Sequence, residues 1–244
     1  MLGTLNNTDL PKLISFPICP FVQRSAILLE YKNQPYERIN IDLANKPDWF
    51  LALSPLARVP TLVVSRGEKG VTALFESSVI NEYLDEAYGK PLLNGDSLSK
   101  AHSRAWVAYS EALIMQQYAL MLEQNEELFQ VKLDAFLAAL KKIKPAEGKA
   151  YFNGESFGLV DASVAPVFTR LQWLPQLLGV LKTEAKTDKH STYLLGWIDS
   201  LVSHIAVQNS VAGDFDAHFI DYFKKRNSVA IQRWEDLCTA DGCT

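Results

Sequence analysis

The stretch SFPICPFVQRSAILLEYK, Ser15–Lys32, decides how the chain is read. A short apolar segment, Leu13 to Phe16, has the character of a strand and runs into a Pro-x-Cys-Pro turn. A helix-forming run begins directly after it, from Pro20 to about Lys32, with Val22, Ala26, Ile27, Leu29 and Glu30 spaced for one buried and one wet face. Pro20 suits the first helical position, where its missing N–H is one that the helix would leave unbonded. Cys19 therefore falls at the first turn of a helix. The free N–H groups and the positive dipole end there favour a thiolate over a thiol. Flanked by Pro17, Pro20 and a helix start, Cys19 is a candidate nucleophile rather than the inert core residue that most cysteines are.

Outward from this stretch, strands and helices alternate. Asn33-Gln34-Pro35 closes the helix, because the residue before a proline is pushed out of the helical region. Tyr36–Ile41 reads as a second strand and NKPDWFLALSP as a short irregular or helical segment. The β-branched run Arg58–Val64 gives a strand starting at or just after Pro60. Gly67 to Gly70 is a hairpin turn and Val71–Phe75 the returning strand. Glu76 to Tyr88 is a helix with Val79, Ile80, Tyr83, Leu84 and Ala87 on one face. The order βαβ, hairpin, α predicts an α/β thioredoxin-like domain with a mixed four-stranded sheet over residues 1–88. Pro and Gly punctuate a linker at 89–98.

Residues 99–244 read as an all-α domain. Ser97 could cap a long helix whose apolar stripe includes Trp106, Tyr109, Leu113 and Leu120. Leu128–Leu140 follows, with Phe129, Leu133, Phe136, Leu137 and Leu140 on one side. Lys141, Lys142 and Lys144 near its end suit the negative pole of the helix dipole. Asp161 is placed to receive first-turn N–H groups, and Pro166 should kink the same helix. Two or three further helices are expected in Thr187–Val207 and Asp214–Cys238.

Composition narrows the function. The chain has 244 residues, 48% of them hydrophobic, and a formal charge of -4, the profile of an ordinary globular protein rather than a polyanion binder. Nucleic acid is therefore not the expected partner. No apolar run approaches about 18 residues, so no stable membrane insertion is expected. MLGTLNNTDLPK lacks a basic segment followed by an apolar core, and so does not read as a signal peptide. Cys19, Cys238 and Cys243 make no disulfide framework, which fits a reducing, cytoplasmic setting. Cys238 and Cys243 lack zinc-site spacing and the four histidines are scattered, so no metal is expected.

Three features converge on one chemistry. Val22 stands where the second cysteine of a Cys-x-x-Cys pair would be. Cys19 therefore cannot resolve its own mixed disulfide locally and needs an outside thiol, for which glutathione is the natural candidate. Val59-Pro60 opens the third strand. If that bond is cis, the Val59 backbone faces the cysteine with N–H and C=O open to an extended peptide-like ligand. Glu76-Ser77 opens the next helix, where Ser77 and backbone N–H groups can hold a carboxylate and Glu76 can pair with an ammonium. The γ-glutamyl end of glutathione carries both.

At this point the chain resembles the glutathione transferase superfamily, specifically the omega class and its cysteine-type bacterial relatives. The resemblance lies in CPFVQR (Cys19–Arg24), NKPDWF (Asn45–Phe50), SPLARVPTL (Ser54–Leu62), ESSVINEYLDEAYGKPLL (Glu76–Leu93) and, more by layout, FGLVDASVAP (Phe157–Pro166). It implies that Cys19 is catalytic and that Phe21 lines the site. Lys46 would reach the glycyl carboxylate of glutathione, Val59 the cysteinyl backbone, and Glu76 with Ser77 the γ-glutamyl group. Pro20 and Pro60 would be structural, with Trp49 and Phe50 packing nearby. The family usually has Ser or Thr three residues before the aspartate matching Asp161; Gly158 stands there, a tolerable cap. A second, small electrophilic or disulfide substrate would lie against the helical domain, for which Trp106, Tyr109, Met115 and Trp173 are candidates by type.

The implied activity is glutathione-dependent thiol transfer, reducing disulfides or dehydroascorbate, with weaker conjugation, in a two-fold homodimer. Rival readings are a glutathionyl-quinone reductase, whose motif is closer to CPWAHR, and a non-catalytic starvation-protein-like interaction module, which would tend to lose the cysteine. A chloride-intracellular-channel-like protein shares the CPF motif. Against it, Arg24, Glu30 and Lys32 mark the first helix as ordinarily amphipathic.

Overall fold

A computed structural model describes residues 10–241, which divide into two compact units. One runs to Gly95 and takes in Ile205–Ala212; the other comprises Asp96–His204 and the chain from Gly213. Residues 1–9, most of the stretch weighed as a signal peptide, and Cys243 lie outside the described residues.

The first unit is the expected thioredoxin-like α/β fold. Its elements are β1 (Lys12–Ser15), α1 (Pro20–Tyr31), β2 (Glu37–Asn40), α2 (Asp48–Leu53), β3 (Thr61–Ser65), β4 (Val71–Phe75) and α3 (Ser77–Ala87). The four-stranded sheet has the order β2-β1-β3-β4. β1 and β2 are parallel, while β3 runs antiparallel to both β1 and β4. Ile14, Val63, Ile41 and Phe50 form a core cluster on which Trp49, Leu53 and Val59 pack, which anchors α2.

The helix that carries the cysteine differs from its sequence reading. α1 has no wet face over Val22–Leu29: Gln23, Arg24 and Ser25 are as buried as Ile27 and Leu28. The reason is that α3 and the 205–212 segment cover its outer side and supply polar partners. Ser25 Oγ donates to Asn81 Oδ1 at 2.8 Å and Gln23 Nε2 to Ser210 Oγ at 3.2 Å. Lys32, read as a surface charge, is buried in an ion pair with Asp85, Nζ–Oδ1 2.7 Å. For the same reason α3 turns Ser77, Asn81 and Asp85 inward beside Ile80 and Leu84, leaving Val79 and Ala87 exposed.

In the second unit, α4 (Ser97–Met121) is capped by Asp96, whose carboxylate accepts from Ser99 N at 2.8 Å, and not by Ser97, which is already inside the helix. α5 (Glu126–Leu140) starts before its apolar pattern does, capped by Asn125, with Glu126 and Glu127 favoured at the positive dipole end. α6 (Leu159–Thr169) contains Pro166 in its last turns. α7 (Pro175–Glu184) follows, a helix that the sequence analysis does not single out. The 187–207 region splits into α8 (Lys189–Val202) and α9 (Ile205–Asn209), the latter belonging to the first unit. α10 (Phe215–Lys224) and α11 (Val229–Asp241) complete the chain.

Asp161 receives the N–H of the N-cap residue Gly158 in place of the first-turn N–H groups expected of it, and two more distant donors besides. Its carboxylate accepts from Gly158 N (2.8 Å), Phe152 N (2.9 Å) and Trp197 Nε1 (2.6 Å), tying a loop and α8 to the start of α6. Burial raises its carboxyl from 3.8 to about 6, against the pull of those three donors. The native state therefore holds this proton to higher pH than the unfolded chain does. The resulting stability is full below pH 3.8 and is lost as pH rises through about 6. Over that window Asp161 should remove about 3 kcal/mol of stability. Other carboxyls titrate in the same range, so the measurement is a comparison. Urea midpoints of wild type minus Asp161→Asn, taken at pH 4 and pH 7, should shift in favour of the variant at the higher pH. A pH-independent difference would refute the assignment.

Candidate active site around Cys19

Strand direction brings the predicted residues to one end of the sheet. β1, β2 and β4 run the same way and β3 the opposite way. The loops after β1 (Cys19), after β2 (Lys46), before β3 (Val59-Pro60) and after β4 (Glu76-Ser77) consequently all emerge from the same edge. The pairs Ser15–Asn40, Ile14–Thr61 and Thr61–Phe75 mark that edge in the register.

Cys19 is the N-cap of α1, with extended backbone (φ -71°, ψ 118°) and Pro20 at the first helical position. Its carbonyl accepts from Gln23 N at 3.1 Å and its N–H donates to Phe16 O at 3.0 Å, which holds the turn. The thiol makes no cap bond to the first-turn N–H groups. It points instead to the Val59 carbonyl, Sγ–O 4.0 Å. The Val59-Pro60 bond is cis. Ser54 Oγ bridges Arg58 N and Arg58 O at 3.2 and 3.1 Å, which fixes the approach to this corner. Among the described residues the Val59 N–H has no hydrogen-bond partner, so the half-buried Val59 presents an open backbone donor beside the thiol.

Phe21 is half-buried, one residue into the helix, with the Arg24 guanidinium 5.7 Å from its ring centroid. Lys46 is half-buried in the loop before α2, and among the described residues its ammonium has no ion-pair or hydrogen-bond partner. Glu76 is the N-cap of α3 and adopts φ 65°, ψ 116°, a region that costs a non-glycine residue roughly 1–3 kcal/mol. Its carbonyl starts α3 by accepting from Ile80 N at 2.9 Å, and its side chain is exposed. Ser77 is buried, and its Oγ accepts a hydrogen bond from Arg24 Nη1 at 3.3 Å.

The four second-substrate candidates lie in the other unit and differ sharply. Trp106 is half-buried; its Nε1 donates to His102 Nε2 at 3.2 Å, and its ring meets Tyr109 and Phe152. Tyr109 donates its hydroxyl to Ala139 O at 2.9 Å, and burial raises its pKa. Met115 is 55% exposed. Trp173 is 1% exposed and stacks on Phe219 at 3.8 Å and 14°, so its surface is taken up by the helical core. Sequence reasoning missed Arg24 as a site neighbour. A charged residue in a helix reads as solvent-facing, and only the packing of α3 on α1 places it against Ser77.

Among the described residues no group of three or more His, Cys, Asp or Glu side chains is placed to hold a metal, and no helix is long and apolar enough to cross a membrane.

A family model described as the N-terminal domain of glutathione S-transferases matches residues 13–92. Glutathione S-transferase omega-1 of Sus scrofa is 32% identical over 167 residues, covering 67% of this chain and 68% of that protein. The chain belongs to the omega class of the glutathione transferase superfamily. Another relative in sequence is the pyrimidodiazepine synthase of Drosophila melanogaster, 34% identical over 164 residues, 67% of this chain and 65% of that protein. Among solved structures, glutathione transferase Omega 3C from Trametes versicolor superposes with a TM-score of 0.71 at 26% identity, over 86% of this chain and 93% of that one. The omega-class likeness thus spans both the sheet unit and the helical unit.

Proposed function

We propose that this omega-class transferase is a glutathione-dependent thiol oxidoreductase in which Cys19 is the nucleophile. Glutathione is seated by Phe21, Lys46, Val59, Glu76 and Ser77. The observation that carries the reading is the position of the Cys19 thiol, at a helix N-terminus and against the carbonyl of a residue whose own N–H is open. A cysteinyl backbone laid along Val59 would bond both groups as an added strand does, and would bring its sulfur to Cys19.

The reaction runs in two exchanges. The Cys19 thiolate attacks one sulfur of a glutathionylated substrate. The S–S bond breaks, the substrate leaves as a thiolate and takes a proton, and Cys19 holds glutathione in a new disulfide. A second glutathione thiolate then attacks that disulfide, leaving as glutathione disulfide and returning Cys19 to its thiolate. In net terms one glutathione thiol is oxidised while the substrate sulfur is reduced to a thiol, one disulfide replacing another, so atoms and electrons balance. Dehydroascorbate is a further acceptor on this reading. Lys46 suits the glycyl carboxylate, since its ammonium has no partner among the described residues, and exposed Glu76 suits the γ-glutamyl ammonium. The proposal extends to a two-fold homodimer working in the cytoplasm.

Excess glutathione disulfide followed by intact-mass measurement tests the site. One glutathione adduct is expected on the wild type and none on Cys19→Ser, although Cys238 and Cys243 remain. An adduct that persists in Cys19→Ser, or a wild type that takes none, would overturn the mechanism and favour an interaction-only role.

A further inference from the structure

We propose that Arg24 is a positioning residue for glutathione: acting through Ser77, it makes the Ser77 hydroxyl a dedicated donor to the carboxylate of the γ-glutamyl group. The inference rests on the proposed role of Ser77 and adds a residue that never touches the ligand itself.

Arg24 is 0% exposed on α1, five residues after the nucleophile. Its neighbours include the Phe21 ring, 5.7 Å from the guanidinium carbon, and the Ser77 hydroxyl, 3.3 Å from Nη1. A guanidinium has donors only, so the direction of that hydrogen bond is fixed: Arg24 donates and Ser77 Oγ accepts. A serine hydroxyl has a single proton. With one lone pair held by Arg24, that proton is free to point away from α1. The hydroxyl then offers that proton to an acceptor, which a carboxylate is, and keeps a single lone pair for any further donor. The charge strengthens the effect, because a hydroxyl polarised by a buried cation is a better donor than one hydrogen-bonded to water.

Position makes the arrangement selective. Ser77 is the first residue of α3, an 11-residue helix whose N-terminal N–H groups favour an anion at the same spot. Glu76, immediately before it, offers a carboxylate for a cation. Two adjacent residues thus present opposite preferences, and Arg24 assigns the anion to Ser77. Lysine in its place would keep the charge but not the planar fork that reaches Ser77 while packed near Phe21.

The test compares two ligands on each protein, both unable to form a disulfide with Cys19. They are S-methylglutathione and its analogue lacking the γ-glutamyl α-carboxylate. The ratio of their dissociation constants, from isothermal titration, reports what the carboxylate contributes and is independent of the folded fraction. Wild type should prefer the carboxylate ligand. Arg24→Gln should reduce that preference about ten-fold, the size of one charge-assisted hydrogen bond, and Arg24→Lys by less. In Ser77→Ala the preference should already be reduced, and adding Arg24→Gln should reduce it little further. An unchanged ratio in whichever Arg24 variant folds, or additive losses in the double variant, would overturn the proposal. If Ser77→Ala keeps the full wild-type preference, the seat assigned to the carboxylate is wrong and the proposed ligand geometry fails with it.

Discussion

Replacing Cys19 by Ser should lower disulfide exchange on a glutathionylated substrate by at least about 10³-fold in kcat/KM, the order seen when an enzyme's covalent nucleophile is removed. The serine hydroxyl occupies the same N-cap, so the α1 start and the Val59 corner should survive. It cannot form the mixed disulfide through which the two exchanges are coupled. Conjugation should behave in the opposite way. In the wild type, Cys19 competes for the glutathione sulfur, whereas a hydroxyl beside the helix N-terminus can hold the glutathione thiolate by a hydrogen bond. Turnover of a chlorodinitrobenzene electrophile should therefore be retained or rise in Cys19→Ser while exchange disappears. Parallel assays on one preparation check this. Equal losses in both activities would mean that Cys19 only shapes the site.

The second large effect concerns stability. Asp85 and Lys32 form an ion pair at 2.7 Å with both side chains under 4% exposed. Asp85 also accepts from Leu92 N (2.7 Å) and Leu93 N (2.8 Å), and Lys32 donates to Lys90 O. The pair pins the ends of α1 and α3 and the chain that leaves them. Asp85→Ala strands a buried ammonium and two N–H groups, and should cost about 3–5 kcal/mol. For a chain of this size that is a fall in the melting temperature of roughly 6–20 °C. Lys32→Met should cost less, because the carboxylate keeps its two backbone donors. The double variant should be less destabilised than the sum of the singles, since most of the cost is the unpaired charge and not the lost attraction. Additive thermal shifts would show that the pair behaves as a surface one.

The fold was legible from the chain because its signals are local. The proline at the first turn of α1, the β-branched run before the Gly67–Gly70 turn and the returning Val71–Phe75 strand are each decided by a few residues. The candidate site was legible for a related reason: its members sit at the junctions of those elements, where turn and cap chemistry is visible. Boundaries moved by a residue or two where a cap outweighed the apolar pattern, as at Asp96 and Asn125. The helix Pro175–Glu184 was missed, although Pro175 at its start is an ordinary helix signal.

Charged and polar residues inside helices were misread. Arg24 and Lys32 have the spacing of a solvated face, and only a second helix packed on the first makes them interior. By itself the sequence determined the order of elements, the place of Cys19 at a helix start and the absence of a second cysteine at Val22, since each follows from a few neighbouring residues. The tertiary structure alone decided that four separate loops share one end of the sheet, that the Cys19 thiol meets the Val59 carbonyl, and that a buried guanidinium stands behind Ser77. Those contacts join residues 40 and 53 positions apart, and such distances are closed by strand direction and packing, which no local pattern encodes.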